Sequence, residues 1–327
     1  MAKKQTEASS FIEKMKTKYG KGVVLLGNSI EESLEIVPSG SISLDAELGI
    51  GGIPIGKLIE ILGFESSGKS SLTLEIISQF QKKGINCLLF DYEQSFDKKY
   101  AKSIGVDVDK LLVSYPESQE DGYNIIEEAI SSKEVGLIVI DSHTAAMPRK
   151  VIEGEVGEST VGLQARINSV ALGKIKPLLL SNKCTVIGIS QFRQNIGGMG
   201  NPNNSTGGLS WKFYADIRLK VARSVDKLNE NSRTTVEVIK NKCGIPFGKA
   251  EFNINWGEGI DKVAEVIDLA ADYKLINKGG AWYTIEENKL QGINGVKAFM
   301  KDNPEYFEEL KNKVIKILKD IKNGNSD

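Results

Sequence analysis

Short runs of apolar residues alternate with longer periodic segments through the middle of the chain. The apolar runs predict buried β-strands, because a strand covered on both faces is apolar at almost every position; they are KLIEILG, NCLLFDYE, VGLIVIDS and CTVIGISQ. Between them, apolar residues recur every three or four positions, which predicts helices. This alternation is typical of an α/β fold with a mostly parallel central sheet that is covered on both faces.

The pattern differs towards the two ends of the chain. Residues 9–19 predict a short amphipathic helix, and VVLLG and LEIVP predict short strands after it. FYADIRLKVARSV and TTVEVIKNKCG alternate apolar with polar residues and predict antiparallel edge strands. Beyond about residue 261, a periodic helix, a GGAWYTI element and two helices rich in lysine and glutamate predict a small α+β domain. The predicted division is an N-terminal helix–strand element at 1–35, a core at 36–261 and a C-terminal domain at 262–327.

Composition narrows the classes of function. Of 327 residues, 40% are hydrophobic and 26% are charged, and the formal net charge is −1, so binding of nucleic acid would depend on locally placed basic groups. The three cysteines are far apart and fit no metal spacing, which favours reduced thiols and a cytoplasmic protein. No apolar run approaches about 18 residues, so we expect no membrane span.

One motif predicts a phosphate site. GFESSGKS, at residues 63–70, lies between a predicted strand and a predicted helix, which is the setting that a P-loop requires. Its glycines let successive backbone N–H groups face a phosphate chain, and the helix adds its positive N-terminal end. Lys69 would reach the β- and γ-phosphates of ATP, and the Ser70 hydroxyl would ligate Mg²⁺.

Three polar residues end neighbouring predicted strands. Asp141 ends VGLIVIDS and is the candidate for holding Mg²⁺ through water. Glu93 ends LLFDYE and is the candidate for activating the attacking water, and Gln191 ends the strand CTVIGISQ. Taken singly, each is also typical of a helix cap or a solvated loop residue. The P-loop is what favours the interpretation as an ATPase site.

At this point the residues resemble a family. GFESSGKS, FDYEQSFDKKYAKSIGVD, LIVIDSHTAAMP, IEGEVGES, SQFRQNIGGMGNPNNSTGGLSWKFYADIRL and VIKNKCGIPF resemble, in order and spacing, the bacterial RecA recombinases. The resemblance covers about residues 8–320. It implies a RecA-type P-loop ATPase core in a DNA-dependent ATPase that polymerises on single-stranded DNA and catalyses homologous pairing and strand exchange. It also implies roles in DNA repair and the SOS response to DNA damage.

For the nucleotide, the resemblance implies particular roles. Glu93 would activate water, Asp141 would be the second metal acid, and Gln191 would report the γ-phosphate to the DNA-binding loops. Lys240 and Lys242 would reach across to the ATP of a neighbouring subunit in a head-to-tail filament. The implied cofactor-binding residues are Gly63, Glu65, Ser66, Ser67, Gly68, Lys69, Ser70, Ser71, Asp97 and Tyr100, with Tyr100 stacked on adenine.

For DNA, the resemblance implies two loops, at residues 152–159 and 192–208. The second is rich in glycine and asparagine, which tolerate positive φ, so its backbone N–H groups can approach phosphates closely while few side chains contact the bases. Without the resemblance, an ordinary surface loop is an equal alternative. The implied DNA-binding residues are Val161, Arg166, Ser169, Arg193, Ile196, Gly207 and Gly208, with Ile196 as an apolar wedge between bases.

The sequence also departs from the family pattern. Asn195 replaces a usual lysine and Gly173 a usual arginine, which reduces positive charge near DNA. His143, the single histidine, replaces a small apolar residue, and we interpret it as a packing residue. Whether the chain comes from a cell or a bacteriophage, where it would act in the host cytoplasm, stays open.

Two other functions remain as alternatives. A helicase or clock-type ATPase of the same architecture would form closed rings, and a non-catalytic DNA-binding scaffold would keep the fold without turnover. We expect single-stranded and double-stranded DNA and further copies of the chain as partners. Single-strand-binding and mediator proteins are further candidates, which the sequence does not identify.

Overall fold

The computed structural model describes residues 2–20, 23–27, 34–155, 162–192, 208–225, 232–255 and 257–322. The chain forms two compact units, Met1–Glu35 and Ile36–Asp327. In the first, helix α1 spans Ala2–Tyr19. Residues 23–27 lie in no strand, contrary to the prediction from VVLLG. Three of the four apolar side chains in that run are largely exposed, because a short apolar run becomes a strand only where a partner strand is present.

The second unit alternates strands and helices through its first part. Its strands are β1 Ile36–Val37, β2 Ile53–Pro54, β3 Leu58–Gly63, β4 Cys87–Asp91, β5 Leu112–Ser114, β6 Leu137–Asp141, β7 Thr185–Gln191, β8 Ile217–Val225, β9 Ser232–Asn241, β10 Lys249–Asn255, β11 Gly259–Ile260, β12 Asn277–Gly279, β13 Trp282–Ile285 and β14 Asn288–Gln291. Its helices are α2 Ile42–Glu47, α3 Lys69–Lys82, α4 Lys98–Ile104, α5 Gln119–Ser132, α6 Arg149–Glu153, α7 Leu163–Ser181, α8 Ser210–Tyr214, α9 Lys262–Asp272, α10 Gly292–Asp302 and α11 Pro304–Lys322.

One large sheet organises this unit. Among the described residues its order is β11-β10-β9-β8-β3-β7-β6-β4-β5. The strands from β8 to β5 are parallel, and β9, β10 and β11 continue the sheet in antiparallel fashion. The predicted fold class, an α/β core with a mostly parallel sheet, an N-terminal helix and a small C-terminal domain, is therefore confirmed.

The prediction of edge strands was wrong for β8 and β9. β8 pairs in parallel with β3 and antiparallel with β9, and β9 also pairs with β10, so both lie inside the sheet. The alternating pattern has another cause. One face of β8 buries Ile217, Leu219 and Val221, and the other face carries polar side chains. Such alternation reports which face is buried, and it does not show whether the strand lies at the edge or inside the sheet.

Hydrophobic clusters cover both faces of the sheet. Helices α2, α3 and α4 pack on one face, and α5, α7 and Trp211 of α8 pack on the other. Alternate residues of β3 supply the two clusters, since Ile59 and Ile61 belong to the first and Leu58 to the second. The functional side chains are thus held on strand ends that are anchored from both sides.

The C-terminal segment has a third cluster, formed by α9, the sheet β12-β13-β14, α10 and α11. It contacts Ile42 and Ala46 of α2. The buried carboxylate of Glu265 in α9 accepts hydrogen bonds from both hydroxyls of Ser41 and Ser43, each at 2.5 Å, and from two backbone N–H groups at the start of α2. We call this contact the α2–α9 junction. The predicted domain boundaries at residues 35 and 261 stay predictions.

Candidate nucleotide and DNA site

The P-loop follows β3 directly. β3 ends at Gly63, residues 64–68 form the loop, and α3 begins at Lys69. A side chain at Gly63 would place its Cβ 2.3 Å from the carbonyl oxygen of Val221, and Gly68 has a φ of +99°. Both positions therefore require glycine, which brings the start of α3 close to the end of the sheet.

The Lys69 side chain lies inside this loop and is only 7% exposed. Its ammonium group donates to the carbonyl oxygen of Phe64 at 2.6 Å. Burial lowers the pKa of Lys69, and the charges of Asp141, Glu93 and Glu65 partly offset that effect. An ammonium group in such a place favours a ligand that brings several negative charges, as a triphosphate does.

Ser70 and Asp141, the two predicted Mg²⁺ residues, lie together. The Ser70 hydroxyl donates to Asp141 Oδ2 at 2.8 Å. Burial raises the pKa of Asp141 to about 6, the Ser70 hydrogen bond lowers it in part, and Glu93 and Asp91 add further upward shifts. A hydroxyl and a carboxylate are hard oxygen donors that fit Mg²⁺. No group of three or more histidine, cysteine or acidic residues within the described ranges could hold a metal alone, so phosphate and water oxygens would complete the set.

Glu93 and Gln191 are also brought together. Oε1 of the exposed Glu93 accepts a hydrogen bond from Gln191 Nε2 at 2.6 Å and another from the Ser142 hydroxyl at 2.6 Å. Gln191 is the last residue of β7, as predicted, whereas β4 ends at Asp91 and Glu93 lies two residues beyond it. The Glu93 carboxylate is therefore oriented by a donor from β7 and a donor from the segment after β6.

A cleft of about 730 Å³ extends from the P-loop towards the antiparallel end of the sheet. Predicted residues that line it include Ser66, Tyr100 and Asp97. The Tyr100 hydroxyl lies 2.6 Å from that of Ser71, and the Asp97 carboxylate caps α4. The sequence interpretation missed seven lining residues: Lys99, Ser103, Arg223, Thr234, Ile254, Asn255 and Gly257. Gly63, Glu65, Glu93, Asp141 and Gln191 are not among its lining residues.

Lys240 and Lys242 lie away from this cleft. Thr234 of the same strand lines the cleft, and six residues of strand place Lys240 roughly 20 Å further along. The Lys240 ammonium donates to the carbonyl oxygens of Lys212 and Phe213, at 2.8 and 3.0 Å. Burial and then the charges of Lys242 and Arg218 lower its pKa. The two lysines therefore belong to a surface other than their own chain's nucleotide cleft.

Of the predicted DNA-binding residues, Arg166 and Ser169 lie on α7 and Gly208 lies just before α8. A side chain at Gly208 would place its Cβ 2.5 Å from that of Ala165. The segment that follows residues 193–207 thus packs against the first turn of α7, which follows residues 156–161 closely. Val161, Arg193, Ile196 and Gly207 lie outside the described residues, as does Asn195.

His143 is a packing residue with polar contacts. It is 2% exposed, its ring stacks on Trp211 at 4.5 Å, and its Nε2 lies 2.6 Å from the Ser190 hydroxyl. Burial lowers the pKa of His143 to about 3, so the imidazole is neutral at pH 7. The sequence indicated burial, but neither the stack nor the partner serine could be read from it.

Across the described part of the chain, no helix combines the length and apolar character needed to cross a bilayer.

Comparison with known proteins places this site in a family. The chain matches the RecA N-terminal domain over residues 6–261 and the RecA C-terminal domain over residues 264–319. It is 46% identical to Protein RecA of Nocardioides sp. over 308 residues, which are 92% of this chain and 88% of that protein. It is 42% identical to Protein RecA of Caldanaerobacter subterraneus subsp. tengcongensis over 322 residues, 96% of this chain and 94% of that protein.

A third relative, Protein RecA of Streptomyces coelicolor, is 42% identical over 311 residues, which are 93% of this chain and 83% of that protein. The likeness therefore spans both the sheet that carries the P-loop and the C-terminal segment. The chain belongs to the RecA family, whose members are ATP-binding, DNA-dependent ATPases that form filaments on DNA and catalyse homologous recombination and repair.

Proposed function

We propose that this protein polymerises head to tail on single-stranded DNA with ATP between neighbouring subunits, and catalyses pairing and strand exchange with homologous duplex DNA. One observation carries the proposal. At the carboxyl ends of the parallel strands of the large sheet, hydrogen bonds join Ser70 to Asp141 and Glu93 to Gln191, directly beside the buried ammonium of Lys69. ATP hydrolysis that is coupled to DNA binding at a separate site requires these groups.

Within the site, Lys69 and the N–H groups of the P-loop bind the phosphates, and Ser70 and Asp141 are the residues that would hold Mg²⁺. Bound Mg²⁺ would neutralise charge on the β- and γ-phosphates. Glu93 orients the attacking water and accepts its proton. In the structure its Oε1 is engaged by Gln191 and Ser142. When Gln191 turns to the γ-phosphate, Oε1 loses one donor and can accept from water instead.

Lys240 and Lys242 act on the nucleotide of the neighbouring subunit. Their distance from their own cleft supports this assignment, and two ammonium groups there would stabilise the charge that develops on the transferred phosphoryl group. An active site shared in this way makes the interface heterologous, which gives a closed ring if the rotation between subunits closes and an open helical filament if it does not, and the filament is the arrangement proposed for this chain. The N-terminal element at 1–35 would dock on the neighbouring subunit, and the C-terminal domain at 262–327 would guide duplex DNA.

DNA is gripped by Arg166, Ser169 and Gly208 together with Val161, Arg193, Ile196 and Gly207. The close packing of Gly208 on Ala165 supports a joint role for the two predicted DNA-binding loops, because it joins the residue after the second loop to the first turn of α7, which follows the first loop. Backbone contacts dominate such a grip, so recognition of sequence is left to base pairing. The protein acts in the cytoplasm, with single-strand-binding and mediator proteins as candidate partners.

The test is strand exchange between a circular single strand and a homologous linear duplex, with ATP and Mg²⁺. We expect joint molecules and then nicked circles from the unchanged protein, and neither from Lys69→Ala. Electron microscopy of the same mixtures should show helical filaments on the single strand. Closed rings without strand exchange would contradict the proposal and favour a ring-forming ATPase.

A further inference from the structure

A chain of buried polar groups lies beneath the nucleotide site and takes no part in the steps above. It begins at Glu60 of β3, whose side chain is fully buried. Glu60 Oε2 accepts from Arg218 Nε of β8 at 2.5 Å, and Oε1 accepts from the Ser190 hydroxyl of β7 at 2.6 Å. A buried carboxylate is tolerated when its partners satisfy it in this way.

The direction of the next hydrogen bond follows from this one. The single hydroxyl hydrogen of Ser190 is used towards Glu60, because a carboxylate paired with a guanidinium group accepts hydrogen bonds. The Ser190 oxygen must therefore accept from His143 Nε2, 2.6 Å away. His143 thus carries a proton on Nε2, and this hydrogen bond anchors Ser190, the residue immediately before Gln191.

The His143 ring also contacts Trp211, the fully buried tryptophan of α8. The two rings stack with centroids 4.5 Å apart and planes 12° from parallel. Trp211 also packs directly against β7, since a Cβ at Gly188 would lie 2.3 Å from its six-membered ring. Helix α8, which directly follows the glycine-rich segment, is therefore fixed to the same strand that ends in Gln191.

The segment around His143 is tied to α7 as well. The Gln164 amide nitrogen donates to the Ala146 carbonyl oxygen at 2.9 Å and lies 3.4 Å from that of His143. The His143 backbone N–H donates to Ile189 of β7 at 3.2 Å. His143 is thus the point at which β7, α8 and the start of α7 meet.

We propose that His143 is a positioning residue that holds the end of β7, helix α8 and the start of α7 as one body. The contact of Gln191 with the nucleotide and the binding of DNA therefore change together. The inference rests on the proposed function and names the side chains that link its two halves. The alternative is that His143 only fills space, in which case its loss would lower stability without altering the link.

The test uses the full-length protein and compares ATPase rates with and without single-stranded DNA. His143→Leu keeps a similar volume but loses the donor to Ser190. Leaving a buried acceptor unsatisfied is expected to reduce DNA stimulation about tenfold, while the rate without DNA stays within about twofold. His143→Gln can again place an N–H near Ser190 and should restore stimulation to within about threefold of the unchanged protein.

Ser190→Ala breaks the same chain one residue further on and should also lose about tenfold. Combining it with His143→Leu should add little, because both changes interrupt one path. Thr185→Val is the matched control. It removes a buried hydroxyl that bonds Pro54 and Gly56 at the opposite end of β7, so it should lower the melting temperature and leave DNA stimulation unchanged.

The outcomes separate the two proposals. If the unchanged protein shows no stimulation by DNA, the proposed function fails. If it is stimulated and the folded His143→Leu protein keeps the full ratio, or loses both rates equally, the positioning role is overturned. The role is likewise overturned if Thr185→Val loses as much stimulation as Ser190→Ala. Should His143→Leu fail to fold, Ser190→Ala and its control decide the matter.

Discussion

The nucleotide site and the α2–α9 junction use the same chemical groups in opposite ways. At the site, the Ser70 hydroxyl, which lines the cleft, donates to Asp141, and the Ser142 hydroxyl donates to Glu93, whose side chain is exposed. At the junction, the carboxylate of Glu265 is 4% exposed and saturated by two hydroxyls and two backbone N–H groups. Serine–carboxylate pairs thus bind ligands that come and go where they are open to solvent, and they join two parts of the fold where they are buried.

Removing the central cation of the open site should have the largest effect. In Lys69→Ala, the phosphates lose a charged donor that is buried in the loop, so we expect ATP hydrolysis to fall by at least about 10²-fold in the presence of DNA. Steady-state phosphate release measures it. Lys98→Ala, an exposed lysine of α4, is the control and should stay near the unchanged rate. A Lys69→Ala rate within tenfold of that of the unchanged protein would show that hydrolysis does not depend on Lys69.

The second prediction concerns the link from the open site to DNA. Gln191→Ala removes the amide that donates to Glu93, and coupling free energies of this kind correspond to about 5- to 150-fold. We expect the DNA-stimulated rate to fall within that range while a fluorescent ATP analogue still binds. Full DNA-stimulated hydrolysis in this variant would mean that Gln191 does not carry the coupling.

At the closed junction, the corresponding change should affect stability and leave chemistry intact. Glu265→Gln replaces one acceptor oxygen with an amide NH2 group that faces hydroxyl donors, which should lower the free energy of unfolding by about 1–3 kcal/mol. Urea denaturation measures this loss. Glu308→Gln in the exposed Lys311 pair should change stability by less than about 0.5 kcal/mol. Equal effects of the two variants would deny any special role to burial at the junction.

The last prediction is a slope of the free energy of unfolding against pH. Burial raises the pKa of Asp45, beside the junction, from 3.8 to about 7. A carboxyl group whose pKa is higher in the folded chain binds its proton more tightly there, so its contribution to stability is complete below about pH 4 and is lost as pH rises towards 7. In Asp45→Asn this loss should disappear. The difference in slope between the two proteins is at most about 1.4 kcal/mol per pH unit.

Urea midpoints at intervals from pH 4 to pH 8 would measure that difference. Parallel curves for the two proteins would show that Asp45 ionises normally in the fold.

The comparison also shows what the sequence could predict. The open site was predictable because its parts are local: a loop fixed by glycines, and polar residues at the ends of apolar strands that parallel pairing brings to one edge. Arg223, Thr234 and Ile254 were missed because they reach the cleft only through the register of the antiparallel strands β8, β9 and β10. The partners of Glu265 were missed for a similar reason, since the contact joins residues more than 200 positions apart.

The same limit applies to β8 and His143. Alternation along β8 indicated one buried face correctly and its place in the sheet wrongly, because periodicity does not record which strands lie alongside. His143 was interpreted as a packing residue because it replaces a small apolar residue of the family pattern, yet its stacking partner lies in α8, far along the chain. Tertiary contacts of this kind depend on topology and not on local pattern.

The fit of Trp211 over Gly188 constrains how this chain can vary. The indole covers the space that any other side chain at 188 would need, so a larger residue there is tolerated only after position 211 has become smaller. The two positions must therefore change in a fixed order: a smaller residue at 211 first leaves a cavity, and a larger residue at 188 then fills it. Lineages that descend from this chain should keep glycine at 188 for as long as they keep the indole.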